Sequence, residues 1–405
     1  MPDAQNIMPP EWTGVDPDEL REAIQVFYGG GGISGEDVAL LGIPSAPSQA
    51  HVIVHSETRS WTDRVRMITP GPKFDQEQWN GCVAWVRETV VEPDAQWWAF
   101  TCFQQYRVEG IWQSQNEPFA IGPAPIDFPR TDVMWAYHPF LLYFRTPGSP
   151  QDLIRSWRVT RAVRSWVNLL NILAKGGTTL YAGAVRHWSR VDDATEPVWA
   201  VRGYHRQMGR SLPDQPNLGG AVLELVPDKD YYPTEASGMG SYSQTVLTLP
   251  EGLDDALACY AKLGLEARRR LDLATHWAYV ADHTHTASPS VFLQALVTSV
   301  EAVTSVADER RTECPQCGAY QDRSTARFKM FLQTYGGMDA STATRLYNLR
   351  SKVTHGSHLL LAEARGTTML GKGTMDQATL LRELQFGVVT GLRAWLTAGG
   401  PPIEV

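Results

Sequence analysis

The chain has 405 residues, 43% hydrophobic and 20% charged, which suits two or three globular domains and excludes extended disorder. Its formal net charge of −8 gives no general attraction to nucleic acid or anionic membranes, so any nucleic-acid contact needs a local basic patch. No run of about 18 apolar residues occurs, which excludes a spanning helix.

The N-terminal stretch "MPDAQNIMPPEWTG" lacks a basic n-region and an apolar h-region. Five cysteines make an odd count, and only Cys314 and Cys317 lie close together. Both features fit a reducing, cytoplasmic setting better than a disulfide framework. "DPDELREAIQVFY" then predicts a short helix that "GGGG" at 29–32 ends. That glycine run lacks the Lys-Ser/Thr of a P-loop and the spacing of a dinucleotide fingerprint, so it reads as a turn rather than a phosphate cradle.

From about 37 to 145 the pattern is β-like. "DVALLGIP", "AHVIVHS", "CVAWVRETVV", "WWAFTCFQQYRVEGIW" and "VMWAYHPFLLYF" are rich in branched and aromatic residues, with Gly and Pro between them. "SPQDLIRSWRVTRAVRSWVNLLNILAKGG" predicts a helix with Ser149 as its cap, Pro150 at its first position and Gly176-Gly177 at its end. Its apolar stripe is Trp166, Leu169, Leu170 and Leu173. Arg155, Arg158, Arg161 and Arg164 recur every third residue, a pattern read as a solvated face in preference to a phosphate contact. Further strands are expected in "TTLYAGAV", "PVWAVRGY", "GGAVLELV" and "SQTVLTL", with a boundary near 228–243.

Helical character follows. "EGLDDALACYAKLGLEARRRLDLATHWAYVADH" predicts one long helix, and "SPSVFLQALVTSVEAVTSVADE" a second with Ser288 as N-cap and Pro289 in its first turn. A polar insert carries "CPQCG". "TARFKMFLQTYGG" and "DASTATRLYNLRSKVTHG" predict two more, the second capped by Asp339 or Ser341. The last helix places Leu381, Leu384, Val388, Leu392 and Trp395 at helical spacing and ends at Gly399-Gly400-Pro401. The expected fold class is therefore α+β. A β-rich domain with a long helix spans 1–245, and an all-α bundle of about five helices spans 250–400.

Chemistry is concentrated in "LYNLRSKVTHGSHLL", residues 346–360. Leu346, Leu349 and Val353 share a packing face. Arg350 and His355 would point about 140° apart on an ideal helix. Gly356 can end the helix in the left-handed conformation and let His355 swing toward Arg350. Such a pair suits RNA cleavage without metal. A neutral imidazole takes the proton of a ribose 2′-hydroxyl, because its pKa lies near neutrality. A guanidinium fork holds the phosphate oxygens as charge grows. Attack of the 2′-oxygen on phosphorus leaves a 2′,3′-cyclic phosphate and a 5′-hydroxyl. The structural alternative is that His355 caps helix carbonyls while Arg350 pairs with Glu301 or another acid.

"YNLRSKVTHG", preceded by "FLQALVTSVEAVTS" and "RFKMFLQTYGG", resembles the C-terminal half of HEPN domains of the Apea-like type. The helix order matches: a helix with a central Glu301, a helix with Phe328 and Phe331, then one ending Tyr-x-x-Arg-Ser-x-x-x-His-Gly. The resemblance implies a helical bundle that forms a homodimer, with two Arg-x4–6-His motifs facing one cleft. It implies a metal-independent endoribonuclease of toxin or anti-phage type, or a relative that has become a non-catalytic binding module. Arg350 and His355 take the family's two central positions, and Glu301 the position of its helix glutamate. Ser351 stands where many members have Asn, Asp or His. Lys352 and His358 are expected to add phosphate contacts, and Tyr347 to stack a base or to pack. No cofactor for catalysis is implied.

Local charge agrees modestly. Residues 301–365 carry nine Lys/Arg and seven Asp/Glu, or +2, against −10 for the remainder. "CPQCG" resembles a zinc knuckle through Cys314 and Cys317. A structural zinc needs four ligands, supplied by His283 and His285 or by the same pair from a second chain. Free or reversibly oxidised thiols are the alternative. Cys82, Cys102 and Cys259 read as core residues.

Overall fold

A computed structural model describes residues 6–13, 15–29, 31–33, 38–42, 50–59, 62–124, 138–175, 177–180, 187–191, 198–202, 209–236, 246–285, 288–305, 312–313, 320–321, 324–354, 360 and 372–403. Helices and strands are both well represented, so the chain is α+β. It divides into two compact units, Met1–Gln96 with Arg145–Ala162, and Trp97–Phe144 with Val163–Val405.

In the first unit, α1 (Pro17–Phe27) starts where the Asp16 carboxylate accepts from the backbone N–H groups of Asp18 and Glu19, each at 3.1 Å. Strands β1 (Gly31–Ile33), β2 (Val38–Gly42), β3 (Ala50–Arg59) and β4 (Thr62–Pro70) form an antiparallel sheet in sequence order. Next comes α2 (Gln76–Val86), which runs on into a π turn over Arg87–Val91. The strand expected over 82–91 is thus helical. Branched residues suggested a strand, but Cys82, Val86 and Val90 recur every fourth residue and are all buried. They meet Leu20, Ile24, Val52, Val54 and Ile68 in one core, where Trp12 packs edge-on against Trp79 at 5.5 Å.

The arginine row of α3 (Asp152–Leu173) is partly the solvated face that its spacing suggested, with Arg161 and Arg164 exposed and Arg155 half-buried, but Arg158 departs from it. Arg158 is 9% exposed and Glu19 7%. Nε and Nη2 of Arg158 donate to one Glu19 oxygen at 2.8 and 2.7 Å, and the guanidinium also donates to the carbonyls of Gly148 and Val90. Arg161 donates to Asp16 at 2.9 Å and Glu19 at 3.3 Å. Arg155 pairs with Asp152 and Ser149. Arg158 and Arg161 thus tie α3 to Glu19 of α1, because a buried carboxylate needs its full complement of donors.

The second unit contains a five-stranded sheet of β5 (Ala95–Gln104), β6 (Trp112–Gln113), β7 (Phe119–Pro123), β8 (His138–Pro147) and β11 (Arg210–Leu212), in the order β11-β5-β8-β7-β6. A separate hairpin pairs β9 (His187–Val191) with β10 (Val198–Arg202). A short parallel pair joins β12 (Leu225–Val226) to β13 (Leu249–Pro250) on either side of α4 (Asp228–Tyr231). Trp166 of α3 lies between Phe119 of β7 and Tyr260, at ring distances of 4.6 and 5.9 Å. That stack joins the sheet to the helices that follow.

Six helices are described after Pro250, one more than expected, because the long predicted helix is two. These are α5 (Leu253–Lys262) and α6 (Leu265–Thr284). The backbone leaves helical geometry at Leu263 (ψ 136°) and Gly264 (ψ 154°), and the turn buries Leu263. Then come α7 (Pro289–Thr304), α8 (Ser324–Thr334), α9 (Ala340–Thr354) and α10 (Lys372–Thr397). Ser288 caps α7 by accepting from Val291 N–H at 3.2 Å, and Asp339 caps α9 through Ser341 and Thr342. Strands β14 (Thr312–Glu313) and β15 (Tyr320–Gln321) pair between α7 and α8.

Helix α10 packs against α5, α6, α7, α8 and α9, with Leu384, Val388, Leu392 and Trp395 fully buried. It passes the end of α8 closely at Gly336. A Cβ there would lie 2.7 Å from the Gly387 carbonyl oxygen and 2.8 Å from that of Leu332, both backbone atoms that cannot swing aside. Gly336→Ala is therefore expected to cost about 1–3 kcal/mol. Gly219→Ala, which meets nothing within 4 Å, serves as the neutral control. Urea unfolding of both variants checks this, and equal midpoints would contradict it.

Candidate functional site

The apolar helix α7 carries two long polar side chains seven residues apart, Gln294 and Glu301, so both lie on one face. The neighbouring α9 lies alongside it. Arg350 is near the end of α9, and its Nη2 reaches both Glu301 oxygens, at 3.0 Å to Oε1 and 3.2 Å to Oε2. The two side chains are 24% and 26% exposed, so solvent reaches the pair. The Arg350 guanidinium also lies 5.6 Å from the centroid of the Tyr347 ring, one turn earlier. Tyr347 packs at 5.4 Å against Phe328 of α8, which is fully buried. Three helices thus fix the guanidinium. Glu301 holds its charge, Tyr347 supports its face, and Phe328 supports Tyr347.

The sequence-derived residues divide accordingly. Arg350, Glu301 and Tyr347 come together, with Tyr347 in its packing role. Ser351 is half-buried and Lys352 exposed on the following turn. His355, Gly356 and His358 lie outside the described residues, as do Cys314 and Cys317. Among the packing residues, Leu346 is buried with Ala343, whereas Leu349 and Val353 remain partly exposed.

Three residues escaped the sequence reading. Gln294 donates through Nε2 to Thr354 Oγ1 at 2.6 Å, and that hydroxyl donates to the Arg350 carbonyl at 2.9 Å. Ser290, at the start of α7, accepts from Leu360 N–H at 3.3 Å. The available signal was a glutamine seven residues before Glu301 on an otherwise apolar helix.

Surrounding groups complete the electrostatics. The carbonyl of Ser305, just past α7, accepts from Arg270 at 3.3 Å, which puts a cation at the negative end of that helix. Burial lowers the Arg270 pKa, and Glu266 works against that shift. Of the histidines considered for zinc, His283 uses Nδ1 on the Tyr279 carbonyl at 2.9 Å and His285 uses Nδ1 on that of Asp282 at 2.6 Å. Among the described residues no three His, Cys, Asp or Glu side chains are grouped to hold a metal. Cys82 and Cys102 are buried free thiols, and Cys259 is a free thiol of intermediate exposure.

A second titratable cluster links α5 to α6. Tyr260 donates to Asp272 at 2.6 Å, and Arg268 donates to the carbonyls of Tyr260 and Ala261. Burial pushes the Asp272 carboxyl up to about 6, with the Tyr260 hydroxyl and Arg268 opposing it. A folded-state pKa above the unfolded one means that the protonated form favours folding. That contribution is full below the unfolded value and is lost as pH rises toward 6. Asp272→Asn is therefore expected to raise stability at pH 8 by roughly 3 kcal/mol and to change it little near pH 4. Denaturant unfolding at both pH values checks this, and an equal effect at both would contradict it. The cluster faces the α5–α6 turn and reads as structural.

Comparison with family models, with curated proteins and with solved structures finds no match to this chain. No helix among the described residues is long and apolar enough to cross a membrane.

Proposed function

We propose that the chain is a metal-independent endoribonuclease of HEPN type, acting as a homodimer through its C-terminal helices, in the cytoplasm and in an anti-phage or toxin-like role. The observation that carries the reading is the fixed guanidinium of Arg350. It is partly open to solvent and supported from α7, α8 and α9, and it lies one turn before the end of a helix that His355 follows in the chain.

In this reading His355 takes the 2′-hydroxyl proton. Arg350 gathers charge from the non-bridging oxygens, and Glu301 keeps the guanidinium oriented between turnovers. Lys352, His358 and Ser351 are the residues expected to contact RNA. The N-terminal residues sense or scaffold, and a zinc at Cys314 and Cys317 remains part of the proposal as a structural ion.

The second reading is a non-catalytic module, favoured by the same Arg350–Glu301 pair, since structural ion pairs look like this. RNA cleavage by the purified protein and by His355→Ala, both without added divalent metal, separates them. The nuclease reading expects cutting by the wild type that the variant loses. No cutting, or equal cutting by both, sinks it. Toxicity of the two forms on overexpression guards against a dormant enzyme.

A further inference from the structure

Residues 324–354, which span α8 and α9, carry Arg327, Lys329, Arg345, Arg350 and Lys352 against one acid, Asp339, for a net +4. The rest of the chain then carries −12, since the whole carries −8. The one acid is occupied: the Asp339 carboxylate accepts from the N–H groups of Ser341 and Thr342 and from the Ser341 hydroxyl. Arg327 is buried, and Arg350 pairs with Glu301. Lys329 is half-buried, while Arg345 and Lys352 are exposed.

Ser341, Arg345, Asn348 and Lys352 fall within about 60° of one another around α9, at 3.6 residues per turn. All four are exposed, so they form one polar, basic stripe on its outer face. Ala343 and Leu346 are buried on the other face, and Arg350 lies between them in angle. Lys352 lies in the last turn, where the negative end of the helix alone would favour a cation. Arg345 lies mid-helix, where no such end effect acts. Its neighbours three and four positions away on α9 are Ser341, Thr342, Asn348 and Leu349, none of them acidic. Arg21 and Arg155, by contrast, pair with Asp18 and Asp152 on their own helices.

We propose that the outer face of α9 is a binding surface for the RNA backbone. Arg345 and Lys352 pair with phosphates there, and Ser341 and Asn348 hydrogen-bond to phosphate or ribose oxygens. A lipid surface would need exposed apolar side chains beside the charges, and the stripe has none. The choice of RNA as the polyanion rests on the ribonuclease reading. Lys352 leaves α9 about 160° from Arg350, so the phosphate it holds is not the one that Arg350 holds. The stripe therefore adds affinity without touching the chemistry, and its loss raises KM and spares kcat.

The test is binding of the full chain to a 2′-O-methyl RNA oligonucleotide, whose blocked 2′-oxygen cannot attack, followed by fluorescence anisotropy across a salt series. Arg345→Gln and Lys352→Gln are each expected to flatten the plot of log affinity against log salt by about 0.7, and the double variant by about 1.4. The loss should be equal for purine-rich and pyrimidine-rich probes. Lys73→Gln removes an exposed charge in the other compact unit and should keep the wild-type slope. Melting temperatures should match throughout. A wild-type slope in the double variant, an equal loss in Lys73→Gln, or no binding by the wild type overturns the surface. Tighter binding of poly-glutamate than of the RNA probe also overturns it, in favour of an acidic protein partner. Because the probe cannot be cut, the two readings fail separately. Binding with the expected slopes but no cleavage of ordinary RNA leaves the surface and sinks the nuclease, and cleavage with unchanged slopes does the reverse.

Discussion

Arg350→Ala is expected to lower the rate of RNA cleavage by about 10²–10³-fold, the loss seen when one preorganised charge stabiliser is removed. The fold should survive it. The pair with Glu301 is about a quarter exposed on each side, between a surface and a buried pair, so its loss is expected to cost about 1–3 kcal/mol. Arg350→Lys keeps the charge but not the planar fork, and an ammonium cannot span Glu301 and a phosphate in the same geometry. It is expected to recover only part of the rate. Cleavage assays on the three forms, with melting temperatures measured beside them, check this. The module reading expects the opposite division, with shifts in stability or association and no rate to lose.

Glu19→Ala is expected to destabilise the first compact unit by about 3–5 kcal/mol, since it leaves the buried Arg158 without a counter-charge. The carbonyls of Gly148 and Val90 still accept from that guanidinium, but they carry no charge to balance it. The double variant Glu19→Leu with Arg158→Met removes both charges and fills similar volume. It should be near wild type or above it, as buried pairs often contribute little net stability once replaced together. Denaturant unfolding, with hydrogen exchange of Pro17–Phe27 as the local reporter, measures both. A single variant that unfolds at the wild-type midpoint would mean that the pair is solvated and Arg158 is a surface arginine like Arg161 after all.

Helix starts were the most readable part of this chain. Ser288 with Pro289, and Asp339 before α9, are local signals that act through the backbone of their own first turn. What the sequence could not supply is long-range. The span 82–91 looked like a strand because residue type was weighed above spacing, and only the core formed with Leu20 and Ile24 makes it a helix. Arg158 looked solvated like the rest of its row because its partner, Glu19, is 139 positions away. The break at Leu263 carried one glycine as a signal, which a helix can also tolerate.

The site divides in the same way. Arg350 and Glu301 were found through their helix order, and the ion pair joins them. Gln294 was missed because a lone glutamine has no pattern of its own. It acquires meaning only when Thr354 is placed against it. His355, His358, Cys314 and Cys317 fall outside the described residues and are read from the sequence.

The most direct measurement is the chemistry of the cut ends. Purified protein incubated with RNA without added divalent metal should leave 2′,3′-cyclic phosphate and 5′-hydroxyl termini, because the 2′-oxygen is the nucleophile and no metal activates a water. Termini bearing 3′-hydroxyl and 5′-phosphate groups, cleavage that depends on added magnesium or manganese, or no cleavage at all would contradict the account.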